Sequence, residues 1–390
     1  MLNSGPRALP LYVDRGISLV RGSGVHLWDS EGRRYLDMMT NYGVNILGHA
    51  HPAVDQAVIH QLSQLSNAHQ SFDNPTRAAL LEALGAILPA SLTCVSFANS
   101  GSEAVEAALK FARLATGRRR IVSTVHAYHG RTMGALSVTG EERYRQPFSS
   151  QLADVTHVAY DDLGALADCM NAEVAAMIVE PIQGEAGVLI PSAGYLEGVQ
   201  RLCDEHGALL IVDEVQTGFR TGRPLAGGSV RPDILCLSKA VANGFPLGLT
   251  ITTDEVAAAI PRGIHGSTFA GNPLACAAGV ATIGVLTDTN LQAHVESLGR
   301  YALEQIHALS LPHVIDARGK GLMMAIELEM PATPVLRGLQ AHGVLALPAG
   351  RCAIRLLPSV LIQREHVDQL LDALEAELRQ TVVRRRRSAN

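Results

Sequence analysis

Residues 233–248 read DILCLSKAVANGFPLG. The part from Ile234 to Leu237 is apolar and of strand length, and it delivers Lys239 into a loop containing glycine and proline. A charged amine at a buried strand end is unusual, because charged side chains are seldom buried without a partner. Runs of the same kind recur at Val95 to Asn99, Ile121 to Val125, Ala176 to Glu180, Ala208 to Asp213 and Leu247 to Thr252. Short, nearly continuous apolar runs suit strands covered on both faces. Helical patterns lie between them, at Glu103 to Ala115, closed by Gly117, and at Gly194 to His206, ended by Gly207. This alternation predicts an α/β fold with a mainly parallel sheet and helices on both sides.

After about residue 285 the pattern changes to a long helix (Leu291 to Leu309), a strand (Gly321 to Leu328) and an amphipathic helix (His366 to Arg379), as in a smaller α+β domain. The expected organisation is a segment 1–45 packing with the small domain, a large domain 46–285 and a small domain 286–390. With 390 residues and a net charge of −5, the chain can bury a large core and carries no general basic field for nucleic acid. The block Arg384 to Arg387 reads as part of a disordered, solvated tail, 384–390. Six cysteines without a CxxC pair argue against a disulfide framework or a structural zinc and for a reducing compartment. With no secretory h-region and no run of ~18 apolar residues, the expected location is the cytoplasm, without a membrane partner.

Ligands of open parallel sheets sit beyond the carboxyl ends of the strands. In FANSGSEA, Ser100, Gly101 and Ser102 lead into a helix with Ser100 and Glu103 spaced as a capping box; the turn reads as a capped helix or as a phosphate cradle. Asp213 follows buried apolar residues and reads as a capping acid or as a carboxylate with a cationic partner. Lys239 alone reads as a snorkelling lysine. Together, a phosphate cradle, a buried acid and a buried amine are what pyridoxal phosphate needs. His49 and His51 in GHAHP lack a third ligand at a recognisable spacing and read as loop caps, so no metal is expected; His129 reads as loop support.

Over nearly its whole length the chain resembles the class III aminotransferases of pyridoxal phosphate fold type I, nearest the acetylornithine and ornithine branch. The resemblance is carried by LWDSEGRRYLD, NILGHAHP, NSGSEA, YHGRT, VEPIQGEAGV, IVDEVQTGFRTG, SKAVANGFPLG, STFAGNPLACAAG, ARGKGLMMAIEL and IRLLP, in the family's order. It implies a large domain with a sheet of the seven-stranded type and a smaller α+β domain. Lys239 then resembles the Schiff-base lysine and proton shuttle, Asp213 the partner of the pyridinium nitrogen, and Gln216 a donor to the 3′ oxygen. Ser100, Gly101 and Ser102 resemble the phosphate cup, Tyr128 the stacking ring, and Thr268 a threonine reaching the phosphate of a neighbouring subunit, which implies a homodimer with shared sites. Arg355 resembles the clamp for the α-carboxylate of glutamate or 2-oxoglutarate, Arg131 the clamp for the other carboxylate, and Glu185 the acid that pairs with Arg355 and swings away.

The implied activity moves a terminal amino group from N-acetylornithine or a close relative to 2-oxoglutarate, with a place in arginine biosynthesis. Ornithine, a lysine-pathway or carrier-linked substrate and 4-aminobutyrate are the alternative donors. A pyridoxal phosphate mutase or decarboxylase would not need the Arg355 and Glu185 pair, and a non-enzymatic binding protein would not need Lys239. The chain departs from the family at Ala242 and Asn243, where glycines are usual, and at Ser359, where a second proline is usual. Tyr42 falls where the ornithine branch often has a tyrosine, which pulls toward a free α-amino or carrier-linked substrate.

Overall fold

The computed structural model describes residues 6–388, with side chains to residue 380. Strands β1 (Leu19–Ser23), β2 (His26–Asp29) and β3 (Arg34–Asp37) form an antiparallel meander. The turn between β2 and β3 is built by Asp29, whose Oδ1 accepts the N–H groups of Glu31 and Arg33 at 3.0 and 2.9 Å.

The central sheet has seven strands: β4 (Cys94–Ala98), β5 (Arg120–Thr124), β6 (Val155–Val158), β7 (Val174–Val179), β8 (Leu209–Asp213), β9 (Ile234–Leu237) and β10 (Gly248–Thr252). Their order is β4-β10-β9-β8-β7-β5-β6, and the pairings from β9 across to β6 are parallel. Every residue of β7 is buried, which is why that stretch reads as one apolar run. Strand β6, VTHV, is a half-polar edge strand that the apolar-run criterion passes over. Strand β10 runs antiparallel to both neighbours. The connection from β9 spans only residues 238–247, and a parallel return takes about a dozen residues or more.

The remaining strands are β11 (Val314–Lys320), β12 (Met323–Leu328), β13 (Val344–Leu345), β14 (Leu347–Ala349) and β15 (Ala353–Leu356). They form a second antiparallel sheet ordered β11-β12-β15-β14, while β13 pairs in parallel with β3 and ties the N-terminal meander to this part of the chain. The strand expected at Gly321 to Leu328 is therefore the second arm of a hairpin. Its first arm, VIDARGK, is largely exposed and polar and gives no apolar run. The last helix, Arg364–Ser388, carries the backbone of the basic block Arg384 to Arg387, where the sequence suggests a disordered tail; residues 389 and 390 lie outside the described residues. Among the described residues no single helix is long and apolar enough to cross a membrane.

Candidate active site

The turn after β4 is capped from both sides, with Glu103 reaching one residue beyond the N-cap Ser100. Ser100 Oγ accepts the N–H of Glu103 at 3.2 Å, and Glu103 Oε2 accepts the N–H of Asn99 at 2.6 Å. The helix that follows, Gly101–Thr116, leaves the N–H groups of its first turn without intrahelical partners. A Cβ on Gly101 would lie 2.7 Å from Val215 Cγ1, so glycine is what lets this turn approach the segment leaving β8. A Cβ on Gly248 would likewise strike the Ser100 carbonyl, which sets the same turn against the start of β10.

Asp213 closes β8 in the buried interior. Its Oδ1 accepts the Val215 N–H at 2.9 Å, and its Oδ2 meets His129 Nδ1 at 2.7 Å. Burial alone would lower the His129 pKa, but the Asp213 hydrogen bond and charge, aided by Glu180, outweigh it and raise it. Glu180, at the end of β7, is buried and accepts the Tyr128 N–H at 3.1 Å. Burial raises its pKa to about 7, with Asp213 reinforcing the rise and His129 and Lys239 opposing it. Lys239 begins the loop after β9 with a left-handed φ of 45°, a strained conformation for lysine. Burial lowers its pKa against the pull of Glu185, and Asp213, Glu180 and Arg355 also act on it. Among the described residues none makes a hydrogen bond or ion pair to its amine.

Arg355, in β15, is fully buried and pairs with Glu185 Oε1 through Nη1 at 2.8 Å; the same Nη1 donates to Gln216 Oε1 at 2.9 Å. The Arg355 charge, helped by Lys239 and by the Arg355 and Gln216 hydrogen bonds, holds the Glu185 carboxyl below its ordinary value although burial pushes the other way. Nε and Nη2 of Arg355 have no partner among the described residues. The Tyr42 ring stands 5.7 Å from the guanidinium. Arg131 lies 3.8 Å over the Tyr144 ring and 5.7 Å from Tyr128, and its N–H donates to Ser102 Oγ at 3.3 Å. Thr268 is exposed beside exposed Phe269.

The structure thus brings together Ser100 to Ser102, Tyr128, Arg131, Asp213, Gln216, Glu185, Lys239, Arg355 and Tyr42, and leaves Thr268 facing outward. Three participants escape a reading of the sequence by itself. His129 reads there as loop support but contacts Asp213 directly. Glu180 ends an apolar run as Asp213 does, and that signal was available; Tyr144 carries none. His49 Nε2 bonds Asp37 Oδ2 at 2.7 Å, and among the described residues no group of three or more His, Cys, Asp or Glu could hold a metal ion.

A family model described as aminotransferase class-III matches residues 12–378. The chain belongs to the class-III aminotransferases. It is 40% identical over 385 residues to a [LysW]-aminoadipate semialdehyde transaminase of Deinococcus radiodurans, covering 97% of this chain and 90% of that protein. It is 42% identical over 368 residues to an acetylornithine aminotransferase of Methanopyrus kandleri, covering 93% and 94%. Among solved structures it superposes on the ornithine aminotransferase of Toxoplasma gondii with a TM-score of 0.91 and 31% identity, covering 96% of this chain and 93% of the other.

This class-III aminotransferase is therefore a pyridoxal-phosphate-dependent enzyme with the α/β fold of its relatives. Its own residues suit that cofactor: an amine without a partner among the described residues at one strand end, a buried carboxylate at the next, and a glycine-bearing helix start packed against Val215, two residues after that carboxylate. The Nε and Nη2 donors of the buried Arg355, without partners among the described residues, suit an anionic group.

Proposed function

We propose that this enzyme moves a terminal amino group from N-acetylornithine or a close relative to 2-oxoglutarate, giving a semialdehyde and glutamate in a ping-pong cycle. Pyridoxal phosphate, when bound, would supply the electron sink at the reacting carbon and a carrier for the amino group. Lys239, kept toward the neutral amine by burial, would hold the cofactor and move the proton at the reacting carbon. Asp213 would hold the ring nitrogen protonated, and His129, at 2.7 Å from Asp213 Oδ2, orients Asp213 and supports its charge. Gln216 would meet the 3′ oxygen, Ser100, Gly101 and Ser102 would receive the phosphate, and Tyr128 would cover the ring.

The Glu185–Arg355 pair carries this reading. A terminal amine brings no carboxylate next to the reacting carbon, so Arg355 would stand buried and unpaired, at a cost of several kcal/mol. Glu185 neutralises it in that half-reaction and gives way when the α-carboxylate of glutamate arrives. Arg131 then meets the distal carboxylate.

The test is single-turnover kinetics on Arg355→Ala. The glutamate half-reaction is expected to lose about a hundredfold in kcat/KM and the terminal-amine half-reaction less than about tenfold; equal losses would reject the exchange.

A second reading takes a lysine-pathway, carrier-linked donor. It is supported by the name of the Deinococcus radiodurans relative and by Tyr42 beside Arg355, and rates over a panel of acetylated, free and carrier-linked diamino acids decide between the two. A homodimer with shared sites is part of the proposal: Thr268 is flanked by exposed Phe269, with exposed Phe72 and Ile264 as further apolar surface to cover. A sedimenting mass of one 41.4 kDa chain would overturn it. All six cysteines are free, which supports a reducing, cytoplasmic setting.

A further inference from the structure

We propose that Arg220 is a positioning residue, holding the left-handed turn Thr40–Gly43, and with it Tyr42, against the carboxylate-binding end of β15. The inference rests on the reading of Arg355 as a carboxylate clamp.

Arg220 is fully buried, yet among the described residues no carboxylate lies within ion-pair distance of it. Asp37 acts on it only at longer range, and its Nε has no partner. Burial of this kind is costly for a guanidinium, so the two bonds that it does make define its use. Nη1 donates to the Pro358 carbonyl at 2.9 Å and Nη2 to Thr40 Oγ1 at 3.1 Å. Thr40 Oγ1 in turn donates to the Leu357 carbonyl at 2.6 Å, and the Leu357 N–H to the Met38 carbonyl at 2.8 Å. These bonds close a ring around the backbone that continues directly from Arg355. The Arg220 main chain is pinned as well, its carbonyl accepting the Leu322 N–H at 2.9 Å in the β11–β12 turn.

The turn so held is strained. Thr40, Asn41, Tyr42 and Gly43 have φ of 40°, 51°, 59° and 90°, a left-handed run that L-residues avoid and that persists only where the surroundings over-determine it. Gly43 lies flat on the guanidinium, since a Cβ there would be 3.1 Å from Arg220 Nε. An apolar side chain could fill the volume of Arg220 but could not bridge two acceptors on different segments, which the rigid guanidinium fork does.

The experiment uses purified holoenzyme and glutarate, a five-carbon dicarboxylate, as the probe, with glutarate and cofactor dissociation constants measured separately by calorimetry. Thr40→Val, nearly isosteric, and Arg220→Lys are each expected to weaken glutarate about tenfold while cofactor affinity stays within about twofold. Arg220→Met is expected to be worse for glutarate than Arg220→Lys. Glutarate affinity unchanged in Thr40→Val and Arg220→Lys overturns the proposal, and so does a parallel loss of glutarate and cofactor affinity. Should the Arg220 variants not fold, Thr40→Val decides alone. Arg355→Ala separates the two claims: if it leaves glutarate binding intact, the clamp reading fails and this proposal with it; if it abolishes binding while Thr40→Val and Arg220→Lys do not weaken it, only the positioning role fails.

Discussion

Glu180 sits at the end of a strand whose every residue is buried, within the field of Asp213, His129 and Lys239. Its folded pKa of about 7 lies above the ordinary 4.5, so the folded apoenzyme holds this proton more tightly than the unfolded chain. The resulting stabilisation is fully present below about pH 4.5 and is lost as pH rises through about 7. Replacing Glu180 by Gln keeps an acceptor for the Tyr128 N–H and removes the titration. The melting temperature of Glu180→Gln apoenzyme is expected to gain on the wild type from pH 5 to pH 8, equivalent to roughly 2–3 kcal/mol; a pH-independent difference would contradict this. At this scale the residues legible in the sequence are those at the ends of apolar runs or inside recognisable motifs, such as Asp213, Lys239 and Arg355. His129 and Arg220 act through partners far away in the chain, and no local pattern announces such a partner.

Among the elements, the loop after β9 shows how a departure from the family is absorbed. Asn243 adopts a φ of 41°, which asparagine tolerates better than most residues. Its Oδ1 accepts the Leu47 N–H at 2.8 Å and its Nδ2 donates to the Gly48 carbonyl at 3.2 Å. The side chain thus supplies the left-handed backbone of a glycine and adds a clasp to the N-terminal segment. Ser359 does similar work, its Oγ donating to the Ile46 carbonyl at 2.9 Å. Asn243→Gly is expected to cost about 1–2 kcal/mol through the lost bonds, and Asn243→Ala about 1 kcal/mol more through strain. Apoenzyme melting temperatures should therefore fall in the order wild type, Gly, Ala, and an alanine variant at least as stable as the glycine variant would contradict the account. The elements visible in the sequence are the doubly covered strands and the long helices. Strand β6 and the first arm of the β11–β12 hairpin are edge strands interrupted by polar residues, so their side chains give no apolar run; the reversal of β10 follows from connection length rather than from residue type.

At the scale of the whole molecule, the site is assembled from three places: the N-terminal segment with Tyr42, the strand ends of the central sheet, and β15 with Arg355. The α/β class of the central sheet follows from the alternation of runs and helices. The meeting of Arg355 with Glu185 across the fold does not, and only the resemblance to a family anticipates it. The chain contains three lysines, Lys110, Lys239 and Lys320, and only Lys239 stands within the field of Asp213, Glu180, Glu185 and Arg355; Lys110 and Lys320 are exposed. Borohydride reduction of the holoenzyme, followed by proteolysis and mass spectrometry, therefore addresses the central claim directly. The cofactor is expected on the peptide containing Lys239 and on neither other lysine peptide. Cofactor fixed at Lys110 or Lys320, or fixed nowhere in cofactor-saturated enzyme, would contradict the account.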